Sequence, residues 1–179
     1  MTITYRDGVP GDASALEEVF RLAFIETFGH LYRPEDLDFF LARMDEAAWR
    51  GELEDPSYRI RLAEADGVAV GFAKLGPLGL PVEPEGQALE LKQLYLLSAW
   101  HGHGIAPVLM DWTLDQARRR GAEALYLSVW TGNLRARRFY ARYGFTFVAP
   151  YAFMVGEQAD EDEIWRLDLK DEECLTDKK

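Results

Sequence analysis

The stretch 94–143 decides the fold of this chain. It reads LYLLSAW (94–100), HGHGIAP (101–107), VLMDWTLDQARRRG (108–121), AEALYLSVW (122–130) and TGNLRARRFYARY (131–143). Its hydrophobic spacing predicts a strand, a loop, a helix, a second strand, a turn and a second helix. At the loop 101–106, where the helix begins, backbone N–H groups have no partner inside the helix. Because the helix dipole adds partial positive charge there, the loop favours an anion such as a phosphate.

Two glycines and a proline in and after the loop distinguish this anion site from two common nucleotide-binding motifs. Gly102 and Gly104 let the backbone bend and approach a ligand closely, since no Cβ is in the way. Pro107 suits the first turn of the helix, where its missing N–H costs nothing. It also stands where a dinucleotide-binding fingerprint needs a third glycine or alanine, and no Lys-Ser/Thr pair follows as in a P-loop. Both of those nucleotide sites are therefore excluded.

The composition predicts one globular domain. The 179 residues are 48% hydrophobic and 13% aromatic, which is enough for a real core. We expect a single domain at 1–170 and an acidic, polar tail at 171–179. The net charge of −11 argues against nucleic acid as the main partner, because phosphate binding needs a basic face. It favours a cationic substrate.

Targeting signals and cysteine usage predict a cytoplasmic protein. The first residues, MTITYRDGVP, lack the basic and apolar regions of a signal peptide. No apolar run approaches the ~18–20 residues of a membrane span, so no membrane partner is expected. Cys174 is the only cysteine, which rules out an internal disulfide or a cysteine-based zinc site.

The remaining elements follow from hydrophobic periodicity. Helical spacing predicts a helix ending near Gly29 and another beginning at Pro34, and the turn signal Asp66-Gly67 predicts a hairpin. Leu89 and Leu91 alternate, but the pattern resumes at 94, one residue late, which predicts a β-bulge at 92–94. The acidic stretch 157–163 is expected to be a loop between the last two strands, 145–155 and 164–169.

These motifs resemble those of the GNAT superfamily of acyl-CoA-dependent N-acyltransferases. The family's loop, Gln/Arg-x-x-Gly-x-Gly/Ala, corresponds to 101–106, and its second signature to Leu127–Trp130, Asn133, Phe139-Tyr140 and Gly144-Phe145. The resemblance covers about 3–170. It implies an α/β (α+β) fold: a mixed, mostly antiparallel sheet of about seven strands, splayed between strands 4 and 5, with about four helices around it.

The resemblance also implies acetyl-CoA as co-substrate and a set of residues that bind it. Its pyrophosphate would lie on the amides of 102–106, its pantetheine arm along one strand, and Asn133 would contact that arm or cap the next helix. The full set is Leu94, Tyr95, Leu96, His101, Gly102, His103, Gly104, Ile105, Ala106 and Asn133. His101 and His103 depart from the Gln/Arg and Arg/Lys usual there. Since histidine is mostly neutral at pH 7, weaker or pH-sensitive binding is expected.

The family transfers the acyl group directly to an amine, which implies an acid and a base. Tyr140 matches the residue that would protonate or hydrogen-bond the departing thiolate. Glu90, on the bulged strand, is the first candidate for the base, and Glu26 and His30 are weaker ones. The spacing of His, Asp and Glu predicts no metal site, and no Ser-His-Asp or Cys-His arrangement suggests a covalent intermediate.

The acceptor is predicted less sharply than the donor. Within the family the chain is most similar to PaiA-type spermidine/spermine N-acetyltransferases, through TFGHLYRPEDLDFFL, LELKQLYLL and YAFMVGEQADEDEIW. A polyamine would need carboxylates along a groove; the candidates are Glu26, Glu35, Asp36, Asp38, Glu157 and Asp160. One alternative is a protein N-terminal or lysine acetyltransferase, with Tyr32 and Phe39 shaping a peptide groove. Another is a non-catalytic acyl-CoA sensor. Because family members are often dimers, the final strands could pair in a homodimer.

Overall fold

A computed structural model describes residues 2–170 of the chain. One mixed sheet carries seven strands in the order β1-β2-β3-β4-β5-β7-β6. The strands are β1 (Ile3–Asp7), β2 (Arg59–Ala65), β3 (Val68–Pro77), β4 (Ala88–Leu96), β5 (Ala124–Trp130), β6 (Thr146–Val155) and β7 (Gln158–Asp168). β4 and β5 run parallel, and every other neighbouring pair is antiparallel. The predicted seven-stranded, mostly antiparallel sheet is confirmed.

Helices cover both faces of the sheet. They are α1 (Ala13–Phe28), α2 (Pro34–Ala42), α3 (Glu46–Glu54), α4 (Ile105–Arg119) and α5 (Leu134–Arg142). About four helices were expected, and the fifth is α3. It forms a helix of its own because the Asp45 side chain accepts a hydrogen bond from the Ala48 N–H at 2.9 Å, which caps a new first turn.

The core lies in two layers, one on each face of the sheet. On one face α4 buries Ile105, Leu109 and Met110 against the strands. On the other, α1 and α3 bury Phe20 and Trp49 with residues of β2 and β3. The helix that follows the glycine loop and the N-terminal helices therefore pack on opposite faces of the same sheet.

A bulge and a splay make room in the middle of the sheet. Lys74 pairs with Gln93 and Leu75 pairs with Leu91, so Lys92 is an extra residue on β4. This confirms the bulge predicted from the slipped alternation. Pairing between β4 and β5 ends at Glu90 and Tyr126, although both strands continue. The predicted splay between strands 4 and 5 is thus confirmed.

The prediction that the acidic stretch 157–163 forms a loop was wrong, because β7 begins at Gln158. Asp160 and Asp162 are buried, whereas Ala159 before them and Glu161 between them are exposed, so the stretch alternates like a strand with one face inward. Burying two carboxylates is costly unless they have hydrogen-bond partners or face a polar cavity. Both aspartates line the central cavity of the molecule.

The predicted tail 171–179, with Cys174, lies outside the described residues. Within residues 2–170, no helix is long and apolar enough to cross a membrane.

Candidate active site

The gap between β4 and β5 opens into a cavity of about 550 Å³. Strand β4, the loop 101–106, α5 and the inner strands form one part of its wall, and aromatic residues of α1, α2 and β6 form the other. The cavity thus joins the predicted anion loop to the interior of the sheet.

The structure brings nearly all the predicted cofactor-binding residues to this cavity. Those that line it are Leu94, Tyr95, Leu96, His101, Gly102, Gly104, Ile105, Ala106 and Asn133. His103 is not among the lining residues. It is exposed, its ring lies 5.7 Å from that of Trp100, and its Nδ1 is 3.1 Å from the His101 carbonyl oxygen.

The glycine loop has the geometry that an anion site needs. Gly102 and Gly104 have φ angles of 81° and 76°, a conformation that other residues rarely adopt. A Cβ built on either glycine would meet no atom within 4 Å, so the space above the loop is open. Helix α4 begins at Ile105, directly after the loop, and the first N–H groups of a helix have no partner inside it, so they are available to an anion. The loop therefore fits a pyrophosphate.

His101 is held in its neutral form. Its Nε2 lies 3.2 Å from the Leu96 carbonyl oxygen, and its Nδ1 accepts from an Arg135 guanidinium nitrogen. Partial burial, followed by the charge of Arg135, lowers the pKa of His101. His101 therefore adds no positive charge to the cavity wall at neutral pH, in line with the expectation from the sequence.

Positive charge comes instead from α5. Arg135, Arg138 and Arg142 all line the cavity. They are three and four residues apart, which places them on one face of the helix. These arginines belong to the quoted stretch 131–143, and their spacing close after the glycine loop is a signal that the sequence itself carries.

Asn133 caps α5 and also lines the cavity. Its side-chain Oδ1 accepts a hydrogen bond from the Ala136 N–H at 3.1 Å, the geometry of an N-cap. The capping alternative left open by the sequence is therefore present in the structure. The cap fixes the start of the helix that carries the three arginines.

Tyr140 lies buried at the cavity wall. Its ring packs edge-on against Phe139 and Phe145, at centroid distances of 5.5 and 5.8 Å, and it is 9% exposed. Burial raises the pKa of Tyr140, so its hydroxyl keeps its proton at every physiological pH. The side chain can donate a hydrogen bond into the cavity.

The predicted base candidates lie elsewhere. Glu90 is buried but is not among the cavity-lining residues, and its Oε2 accepts from the Gly79 N–H and from Lys92 Nζ, each at 2.8 Å. Glu26 Oε2 accepts from the Ser98 N–H at 2.7 Å, and His30 is exposed. The structure does not bring these three groups to the cavity wall.

Two aspartates that sequence reasoning did not treat as bases do line the cavity. Asp160 and Asp162 are each 8% exposed. Asp160 accepts hydrogen bonds from the Tyr32 hydroxyl and, at 3.0 Å, from Gln158 Nε2. Burial, followed by the charge of Asp160, raises the pKa of Asp162 to about 7. A carboxyl group that titrates near neutral pH is suited to accept a proton from an amine.

Comparison with known proteins places the chain in a family. Residues 15–145 match the model of the acetyltransferase (GNAT) family. The chain belongs to the GNAT family. It is an N-acetyltransferase by that membership, so the predicted family and enzyme class are confirmed.

Two relatives of this GNAT chain span most of its length. It is 33% identical over 154 residues to an uncharacterised N-acetyltransferase of Mycobacterium tuberculosis, covering 86% of this chain and 95% of the relative. It is 30% identical to the streptothricin acetyltransferase of Streptomyces lavendulae, covering 90% and 91%.

The fold is shared with a PaiA N-acetyltransferase. The crystal structure of that enzyme from Thermoplasma acidophilum, in complex with coenzyme A, matches with a TM-score of 0.76 at 20% identity, over 94% of this chain and 99% of the other. At this identity the likeness shows the fold alone. The prediction of acetyl-CoA as co-substrate agrees with the coenzyme A in that neighbour, and the PaiA-type subgroup stays a prediction.

Proposed function

We propose that this GNAT enzyme transfers the acetyl group of acetyl-CoA directly to a primary amine inside the 550 Å³ cavity. The observation that carries the proposal is a continuous wall running from the anion loop 101–106, along splayed β4, to Tyr140 and Asp162. The acetyl-CoA site, the hydrogen-bond donor Tyr140 and the base Asp162 then share one cavity.

In the proposed reaction Asp162 accepts a proton and Tyr140 donates a hydrogen bond. The amine nitrogen attacks the thioester carbonyl carbon, so a C–N bond forms and the C–S bond breaks. The proton leaves the nitrogen for the Asp162 carboxylate, and the sulfur takes the bonding electron pair. We favour Asp162 over Glu90 because Asp162 lines the cavity, whereas the Glu90 carboxylate is paired with Lys92.

The role of Tyr140 is to stabilise the departing thiolate. A thiol has a pKa near ~8.5 and an ordinary tyrosine near ~10, and burial raises that of Tyr140 further. Full proton transfer to sulfur would therefore be unfavourable. A hydrogen bond from the hydroxyl to the developing negative charge needs no such transfer.

A polyamine is the acceptor that the sequence favours. The net charge of −11 and the shared fold with a PaiA enzyme support it. Of the six carboxylates predicted to line a polyamine groove, only Asp160 lines the cavity. Of the residues predicted for a peptide groove, Tyr32 lines the cavity, whereas Phe39 does not and is 65% exposed. The cytoplasmic location, the homodimer and the absence of nucleic-acid partners stay predictions.

The proposal is tested by amine-dependent release of coenzyme A. The purified chain is mixed with acetyl-CoA, and free thiol is followed with no amine, with spermidine, with a small alkylamine and with a lysine peptide. We expect release that requires an amine. Tight acetyl-CoA binding with no release from any amine would overturn the proposal and favour the non-catalytic sensor.

A further inference from the structure

The acceptor end of the cavity is walled by aromatic rings. Five lining residues form this wall and are called the aromatic chamber: Phe24, Phe28, Phe40, Phe153 and Trp130. They come from α1 and α2 near the start of the chain and from β5 and β6 near its end. Tyr95 joins the chamber to the part of the cavity that holds Tyr140, since its ring lies 6.4 Å from Phe24.

The rings of the chamber touch one another as a continuous surface. Phe24 lies 4.9 Å from Phe28 and 4.8 Å from Phe40, measured between ring centroids. Phe40 continues to Phe153 at 5.7 Å, and Phe28 continues to Trp130 at 6.1 Å. A ligand in contact with this surface would meet ring faces and edges over most of its length.

Within residues 2–170, the carboxylates that line the cavity lie in one place. Strand pairing sets Asp162 beside Trp130 on β5 and Asp160 beside Phe153 on β6. Both aspartates point to the same face of β7, two residues apart. The two carboxylates therefore form a single anionic spot at the edge of the aromatic chamber.

Other carboxylates of the region are engaged away from the chamber. Asp36 pairs with Arg33 at 2.8 Å, and Asp38 pairs with Arg21 at 3.7 Å. Glu26 binds the Ser98 N–H. The side chain of Glu157 is 93% exposed and lies 3.9 Å from Arg33. None of these four is among the cavity-lining residues, so they do not provide a second anionic spot in its wall.

We propose that the acceptor is a primary monoamine with an apolar, aryl-bearing body, in which the amine lies at Asp160 and Asp162 and the body fills the aromatic chamber. This inference rests on the proposed function and specifies its substrate class. An aryl or alkyl body gains by leaving water for the rings. A second ammonium in the chamber would lose its hydration, and cation–π contact with the ring faces would replace only part of it, because no further carboxylate among the described residues lines the cavity there.

Acceptor preference tests the inference directly. The value of kcat/KM is measured at saturating acetyl-CoA for 2-phenylethylamine, n-butylamine and spermidine. We expect 2-phenylethylamine to exceed spermidine by at least ~10-fold, with n-butylamine between them. Spermidine equal to or better than 2-phenylethylamine would overturn the inference and leave the proposed function intact. Failure of all three, with no thiol released, would overturn the proposed function and the inference with it.

A matched pair of variants tests the chamber itself. Phe40→Ala removes a chamber ring, and Phe39→Ala removes the neighbouring, 65% exposed ring of the same helix. We expect Phe40→Ala to raise KM for 2-phenylethylamine by at least ~5-fold while the KM for acetyl-CoA stays within ~2-fold, and Phe39→Ala to change neither. Phe153→Leu, a milder change, should shift KM in the same direction. Unchanged KM values in both chamber variants would contradict the assignment.

Discussion

At the scale of single residues, Asp162 is the clearest case of a candidate functional residue that the structure reveals and the sequence does not. The stretch EQADEDE looks like a solvated surface, and nothing in its composition marks one aspartate as buried. The register of β7 makes the difference, because it turns Asp160 and Asp162 toward the cavity and leaves Ala159 and Glu161 exposed to water. Tyr140 could be found from sequence because it belongs to a local motif. Asp162 could not, since its role depends on contacts with distant elements.

The pH dependence of turnover should report Asp162. Its pKa is about 7, so the carboxylate needed as base is lost as pH falls through that value. We expect kcat/KM for the amine to rise with pH and to level off above about 7. Asp162→Asn should lower kcat by ~100-fold or more at pH 8 and remove this limb of the profile. Glu90→Gln is the matched comparison; if it removes the limb and Asp162→Asn does not, Glu90 is the base.

The buried carboxylate of Asp162 should lower the free energy of unfolding at high pH. Its folded pKa is raised above the unfolded value, so between about pH 4 and 7 the folded state binds more protons and stability falls as pH rises. We expect Asp162→Asn to be more stable than the wild type at pH 8, by roughly 1–3 kcal/mol, with a smaller gain at pH 5. Denaturant unfolding at the two pH values checks this. An identical difference at both would show that Asp162 titrates normally.

At the scale of elements, α5 supplies the charge that the glycine loop lacks. The sequence predicted a less basic loop from His101 and His103, and the structure leaves His103 outside the cavity lining. The sequence also predicted the bulge, because a one-residue slip in alternation is a local signal. It did not predict α3 as a separate helix, since that depended on a single cap at Asp45.

Removing one arginine from α5 should weaken cofactor binding in a salt-dependent way. We expect Arg135→Gln to raise the Kd for acetyl-CoA by ~3–10-fold at low salt, with a smaller effect at high salt, because screening weakens exposed charge pairs. Arg119→Gln removes the same charge from the exposed end of α4, where Arg119 pairs with Asp115, and should change the Kd little. Equal effects from both variants would point to net charge alone. Isothermal titration at two salt concentrations separates these outcomes.

At the scale of the whole molecule, the two ends of the cavity differ in how well their lining residues could be predicted from the sequence. The donor end is built from 94–143, one continuous stretch with local motifs, and its lining could be predicted almost residue by residue. Apart from Trp130, the acceptor end is built from α1, α2, β6 and β7, whose contacts with one another are mostly long-range and follow from packing. The sequence therefore predicted acetyl transfer well and the kind of acceptor poorly.

The central claim, direct transfer to an amine with help from Tyr140, is tested most directly by Tyr140→Phe. The substitution keeps the ring that packs on Phe139 and Phe145 and removes only the hydroxyl. Amine-dependent release of coenzyme A and the Kd for acetyl-CoA are measured for both proteins. We predict that kcat falls by ~10-fold or more while the Kd is unchanged. Wild-type turnover in the variant would contradict the account.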